Sequence, residues 1–268
     1  MKKLQISAIA FALTSVVAGS VMAQTSPAQS WAGASVDVKA GYASFMPKIG
    51  NGTVVNNSAF ATGLPSPYNI APAGTTYATT TASASTLNTA TAAIEAGYNF
   101  ALDQDKLLGL GLTYYTGASG GAAGTLNPTS ALTGAAFPAV NITYQVKNLW
   151  AISLTPGYAI DKDRLVYAKA GYTGVTIGAS GSSTSALMPY GGSSVSYQTV
   201  NLSGYNLGLG YKQIITGSLY WLAEANYASF TNKTATIGLT NVIAGASSGT
   251  MSFGGSGYNF LAGVGYRF

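Results

Sequence analysis

No cysteine and no histidine occur in the 268 residues. Without cysteine, disulfides are excluded as the device that stabilises a small exported fold. Without histidine, the commonest general base near neutral pH is gone, and with both missing a metal site could use only oxygen ligands. Charge is scarce as well: 7% of residues are Asp, Glu, Lys or Arg, against about 25% in an ordinary soluble domain. The net charge of +5 includes Lys2 and Lys3, and the remaining +3 is too weak a field to indicate nucleic acid as a partner. Beyond the N-terminus no apolar run approaches the roughly 20 residues of a membrane-spanning helix.

What is present begins with MKKLQISAIAFALTSVVAGSVMA, two lysines, an interrupted apolar stretch and Val21-Met22-Ala23. This is the pattern of a secretory signal over residues 1–23 with cleavage before Gln24, leaving 24–268 as one domain.

The rest of the chain alternates. Reading back from the end, Phe268, Tyr266, Val264, Ala262, Phe260 and Tyr258 share one parity, and Arg267, Gly265, Gly263, Leu261, Asn259 and Gly257 the other. A period of two is that of a strand whose faces meet different surroundings. Eight such segments are predicted: Gly33 to Phe45, Thr89 to Leu102, from Leu107, from Asn148 or as early as Val140, from Leu165, Val200 to Ile215, Leu219 to Thr231, and the C-terminal segment. Tight turns at 102–106, 161–164 and 216–218 alternate with long connections at 46–88, 118–147, 178–199 and 232–256. That alternation is an up-and-down meander with long loops at one end and short turns at the other, the arrangement of bacterial outer-membrane barrels. Ten strands are the alternative, if PAVNITYQVK or TATIGLTNV forms an extra hairpin.

Charge placement decides between a soluble and a membrane barrel. A Lys or Arg facing lipid at mid-membrane costs about 2–4 kcal/mol. Asp37 and Lys39 oppose Val36, Val38 and Tyr42; Glu95 opposes Ile94 and Ala96; Lys169, Lys212 and Glu224 likewise lie opposite the apolar face of their segments. A water-facing sandwich would carry its charges on the other side. Tyr42, Tyr98, Tyr114, Tyr158, Tyr172, Tyr205, Tyr211, Tyr227 and Tyr266 all take the lipid-facing parity, as residues of an interfacial belt do. The fold expected is all-β, an eight-stranded antiparallel up-and-down transmembrane barrel.

With its terminal YNFLAGVGYRF, its repeated GY dipeptides and the strand–turn–strand LTPGYAIDKDRLVYAKAGY, the mature chain resembles the opacity-protein-like and OmpA-like eight-stranded barrels of Gram-negative outer membranes. The resemblance implies an outer-membrane location and a C-terminal aromatic signal for the barrel-assembly machinery, here Phe260, Val264, Tyr266 and Phe268. It also implies contact with outer-membrane lipid and lipopolysaccharide. Some members carry a peptidoglycan-binding domain after the barrel, and this chain is expected to lack one.

Asp37, Glu95 and Glu224 are the candidate carboxylates for catalysis, but their inward parity beside Lys39, Lys169, Lys212 and Arg267 predicts an internal ion network instead. Asp103/Asp105 and Asp161/Asp163 could attract calcium, yet each pair has a neighbouring lysine in a short polar turn. Gly120-Gly121 and Gly191-Gly192 lack the following helix and lysine of a phosphate loop, and the sequons at Asn141, Asn201 and Asn232 carry little weight. No cofactor and no enzymatic activity are expected. A structural or surface-interaction barrel, monomeric, is the leading reading, and a narrow passive pore the alternative, because inward glycines leave space between the charges. The long connections, whose only charges are Lys48, Lys147 and Lys233, read as flexible polar filler at the rim, with Lys147 and Lys233 within reach of lipopolysaccharide phosphates.

Overall fold

The computed structural model describes residues 26–56, 74–116, 121–131, 134, 136, 139–183, 193–241 and 245–268. The expected signal segment, Gly120 and Gly191-Gly192 lie outside them. A single helical turn, α1 (Pro27–Trp31), precedes eleven strands: β1 (Gly33–Ile49), β2 (Gly52–Asn56), β3 (Thr76–Ala84), β4 (Leu87–Ala101), β5 (Lys106–Thr116), β6 (Ala122–Ser130), β7 (Val140–Ala159), β8 (Arg164–Ser183), β9 (Ser193–Thr216), β10 (Leu219–Asn241) and β11 (Gly245–Arg267). Among the described residues no helix is long and apolar enough to cross a membrane.

The eleven strands form eight staves, because three staves are broken in the middle. Ile49 of β1 pairs with Phe253 and Thr53 of β2 with Thr250, so both strands run along β11. Thr116 of β5 pairs with Asn148 and Ala122 of β6 with Tyr144, both on β7. Strand β3 likewise leads into β4. The ring therefore closes twice. Low in the molecule its order is β1-β4-β5-β7-β8-β9-β10-β11, with β11 returning to β1; higher up, β2, β3 and β6 take the places of β1, β4 and β5. Every pairing is antiparallel, and the eight-stranded up-and-down barrel expected from the sequence is the fold.

The long connections differ from expectation. PAVNITYQVK enters β7 at Val140 and Thr234–Asn241 belongs to β10, so both lengthen existing staves and make no extra hairpin. The segments read as rim filler contain β2, β3, β6 and the upper parts of β7 to β11. Their Ser, Thr and Gly content suggested loop, yet the inward positions are mostly apolar: Val54, Ala78, Leu126, Ile142 and Tyr144 are buried, with Thr80 and Ser130 among them.

The two levels have opposite polarity. Around the lower ring the outer face is apolar, with Leu209 68% and Phe260 58% exposed beside Val38, Ile94, Leu110 and Leu154. Such a band is stable only against lipid. Above it the pattern inverts. Thr176 on β8 and Thr199 and Asn201 on β9 face outward, while Val175, Ile177, Val200, Leu202, Phe230, Met251 and Phe253 close into an apolar core. On β8, β9 and β11 the parity is kept through the crossover and the residue types change sides. On β7 a register shift between Val146 and Asn148 lies just above the switch. Ile142 and Tyr144 are inward above it, Ala151 and Ser153 below it, as an extra residue in a bulged strand requires.

Aromatic side chains mark both edges of the apolar band. Tyr42, Tyr114, Trp150, Tyr172, Tyr205, Tyr227 and Tyr258 form the upper belt on seven of the eight staves, with Trp150 and Tyr172 rings 5.8 Å apart and Tyr42 and Tyr258 rings 6.4 Å apart. Tyr98, Phe100, Tyr158, Tyr211, Trp221, Tyr266 and Phe268 form the lower one. From Tyr258 to Phe268, and from Tyr205 to Ile215, each stave gives the roughly 9–11 residues that a tilted strand needs to cross a bilayer core.

Candidate functional site

Six of the seven charges expected inside the barrel are there. Lys39 projects from β1, Glu95 from β4, Lys169 from β8 and Glu224 from β10, and they meet at the centre of the lumen. Lys39 Nζ donates to Glu95 Oε2 at 2.5 Å and Glu224 Oε2 at 2.9 Å; Lys169 Nζ donates to Glu95 Oε2 at 2.6 Å and Glu224 Oε1 at 3.2 Å. Each lysine thus bridges both glutamates across the barrel. Thr113 donates to Glu95 Oε2 at 2.8 Å, the oxygen that both lysines share, and Tyr167 to Glu224 Oε1 at 2.5 Å. Beside this quartet, Lys212 Nζ donates to Asp37 Oδ2 at 3.0 Å, and the Tyr220 hydroxyl donates to Asp37 Oδ1. Lys39 and Asp37 are each 1% exposed. Three ammonium groups face three carboxylates, so the buried layer is neutral, the condition under which charges survive in a low-dielectric interior.

Arg267 does not join them. Although its parity is inward, it sits at the short-turn mouth, where Nη2 donates to the Gly217 carbonyl at 3.2 Å and the guanidinium lies 5.7 Å over the Trp31 ring. Among the described residues no carboxylate pairs with it. One position from the chain end, its side chain lies beyond the barrel wall that closes over the other six.

The inward glycines, read as free space, are where larger side chains lie. A Cβ at Gly265 would collide with Asp37 and the Tyr220 ring, one at Gly210 with the Tyr167 ring, and one at Gly111 would come within 2.9 Å of Glu95 Oε1. The lumen is therefore filled by long side chains from one stave packing over glycine on the next. Below the charged layer Trp31, Leu107, Leu165, Tyr167, Tyr220 and Leu222 form an apolar seal, and above it stands the core of the upper barrel. Two cavities flank the layer, about 20 Å³ beside Ser35, Asn99 and Lys212 and about 60 Å³ beside Phe45, Tyr115 and Phe230. One water needs about 10–15 Å³, so they have room for one water and for a few.

The short turns carry their own ion pairs, Lys106 with Asp103 at 3.7 Å and Arg164 with Asp161. Arg164 Nε donates to Asp161 Oδ2 at 2.6 Å. That hydrogen bond holds the Asp161 carboxyl below its ordinary value and the Arg164 guanidinium above its own. No group of three or more acidic side chains able to hold a metal occurs among the described residues.

Phe260, Val264 and Tyr266 lie on the outer face of β11, the stave that closes the barrel against β1, and Phe268 is exposed just beyond its last residue. The sequence reading missed Thr113, Tyr167 and Tyr220 as partners of the network. All three have the inward parity, but a tyrosine in a chain most of whose strand tyrosines take the opposite parity gives no sign of a carboxylate partner. It also missed α1, for which Ser26-Pro27 was the available signal: Ser26 Oγ accepts from Gln29 N at 3.3 Å, a cap followed by proline at the first helical position.

No protein-family model matches the chain, and no curated protein matches it. Solved structures similar to it include the outer membrane protein OprG of Pseudomonas aeruginosa, at 14% identity over 88% of this chain and 96% of that one, TM-score 0.45. Outer membrane protease OmpT of Escherichia coli aligns at 13% identity over 88% and 97%, TM-score 0.47. The attachment invasion locus protein Ail of Yersinia pestis aligns at 10% over 85% and 99%, TM-score 0.33. Likeness at this level assigns no activity or ligand, and the fold rests on the strand pairing above.

Proposed function

We propose that the protein is a non-enzymatic outer-membrane barrel with a structural or surface-interaction role, presenting its upper barrel to the outside. The observation that carries this reading is the filled lumen, in which a neutral ion layer lies between two apolar seals. An ion crossing it would have to displace Lys39, Lys169 and the glutamates that pair with them, which is costly in a low-dielectric interior. The same pairing argues against catalysis, since each carboxylate of the layer is held as the anion by a lysine and enclosed between the two apolar seals, away from any substrate. Contact with lipopolysaccharide, recognition of the outer face of β11 by the barrel-assembly machinery and a monomeric state belong to the same proposal. The upper barrel suits a surface role because its wall is hydrogen-bonded strand and presents small neutral side chains such as Thr53 and Thr250, whose hydroxyls lie 2.8 Å apart.

Planar-bilayer recording of the refolded mature protein tests the proposal, with heat-modifiable gel migration confirming the folded barrel. The expected result is a silent bilayer. Reproducible conductance steps whose ion selectivity reverses with Glu224→Lys would establish the pore instead.

A further inference from the structure

The residues before β1 close the short-turn mouth, and they touch parts of the chain far apart in sequence. Ala28 N donates to the Gln104 carbonyl in the β4–β5 turn at 2.9 Å, and Ser30 Oγ to the Lys162 carbonyl in the β7–β8 turn at 2.9 Å. Asn99 Nδ2 on β4 donates to the Trp31 carbonyl at 3.1 Å. The Trp31 ring meets Tyr220 of β10 edge-on at 5.6 Å and lies under Arg267 of β11. Trp31 is buried, with no partner for its indole nitrogen, and sits here for its shape. Gly33 makes the reversal into β1 with φ +112°, a conformation that side chains rarely adopt, and a Cβ there would press to 3.2 Å from the Phe268 carbonyl. Phe268 N in turn donates to the Ala34 carbonyl at 2.9 Å.

These partners come together only when the ring is complete, since Tyr220 and Arg267 stand beside β1 only after β11 has paired with it. We propose that Ser26–Gly33 is a closure lock: it docks after the β1–β11 seam forms and holds that seam shut, with Arg267 as its positioning residue. The lock acts on one seam, whereas loss of general stability acts on the whole ring. Opening of one seam is read by amide exchange of that seam alone.

The test is residue-resolved hydrogen exchange on the refolded mature protein in bicelles, comparing the amides of residues 36–42 and 260–266 that bond across the β1–β11 seam with the amides of residues 166–172 and 205–211 that bond across the β8–β9 seam. Trp31→Ala is expected to speed exchange at the first about tenfold and leave the second within about twofold. Arg267→Gln should give the same selectivity at smaller size. Should Trp31→Ala fail to fold, Trp31→Phe replaces it, with a smaller selective change expected. Equal acceleration at both seams, or none at either, overturns the lock.

Discussion

The lower and upper halves of this barrel are built from the same eight staves, yet one is an inside-out version of the other. Below the Tyr42–Tyr258 belt, leucine and phenylalanine face outward and the interior is an ion lattice. Above it, threonine and asparagine face outward and the interior is Val175, Ile177, Val200 and Leu202. A strand specifies only that its two faces differ. Which face becomes the core is set by the solvent at that height, and the crossover on β8 and β9 occurs within a few residues of Tyr172 and Tyr205. Hydrophobic burial holds the upper half together, whereas in the lower half the apolar face is satisfied by lipid and the inside must be neutralised by pairing.

Removing one charge should break the lower interior most sharply. Glu224→Ala leaves Lys39 and Lys169 sharing Glu95, and the expected loss in urea unfolding is about 3–5 kcal/mol. Replacing all four members of the quartet by Met and Leu of similar volume is expected to be neutral or stabilising, because no charge is then left unpaired. The exteriors separate next. Leu209→Arg, mid-band, is expected to cost about 2–4 kcal/mol, and Thr176→Arg, outward on the neighbouring stave but above the belt, less than about 0.5 kcal/mol. Equal costs would mean that both positions see the same solvent. The smallest effect belongs to the turns outside both halves. Because the hydrogen bond from Arg164 lowers the Asp161 carboxyl, its contribution is complete above the ordinary value near 3.8 and is lost as pH falls through the lower folded value. At this exposed site Asp161→Asn is expected to leave the unfolding midpoint unmoved, with an NMR titration of Asp161 showing the lowered value.

The lower half was legible in the sequence because its two signals agree. Alternation fixed the staves, and Asp37, Lys39, Glu95, Lys169, Lys212 and Glu224 fell on one parity, so the ion layer could be read without coordinates. Arg267 was misplaced because parity gives the side of the wall and not the height, and at the last turn the inward side is the mouth that Trp31 covers. The upper half was hidden by composition. Thr79, Thr81 and Ser83 in β3 alternate with Ala78, Thr80 and Ala82, a contrast too faint to tell a water-facing strand from a loop. The inward glycines misled for a related reason. A glycine shows that something comes close, and only the fold shows that at Gly210 it is the ring of Tyr167.

The measurement that tests the two-level account most directly uses the absence of cysteine. Single cysteines are placed in turn at residues 199–209 of β9, labelled with a fluorophore in the refolded protein in vesicles, and exposed to a water-soluble quencher and to brominated lipid. The account predicts water quenching at Thr199 and Asn201, lipid quenching at Leu207 and Leu209, and protection from both at Val200 and Leu202. Lipid quenching at Thr199 and Asn201, or water quenching at Val200 and Leu202, would contradict it.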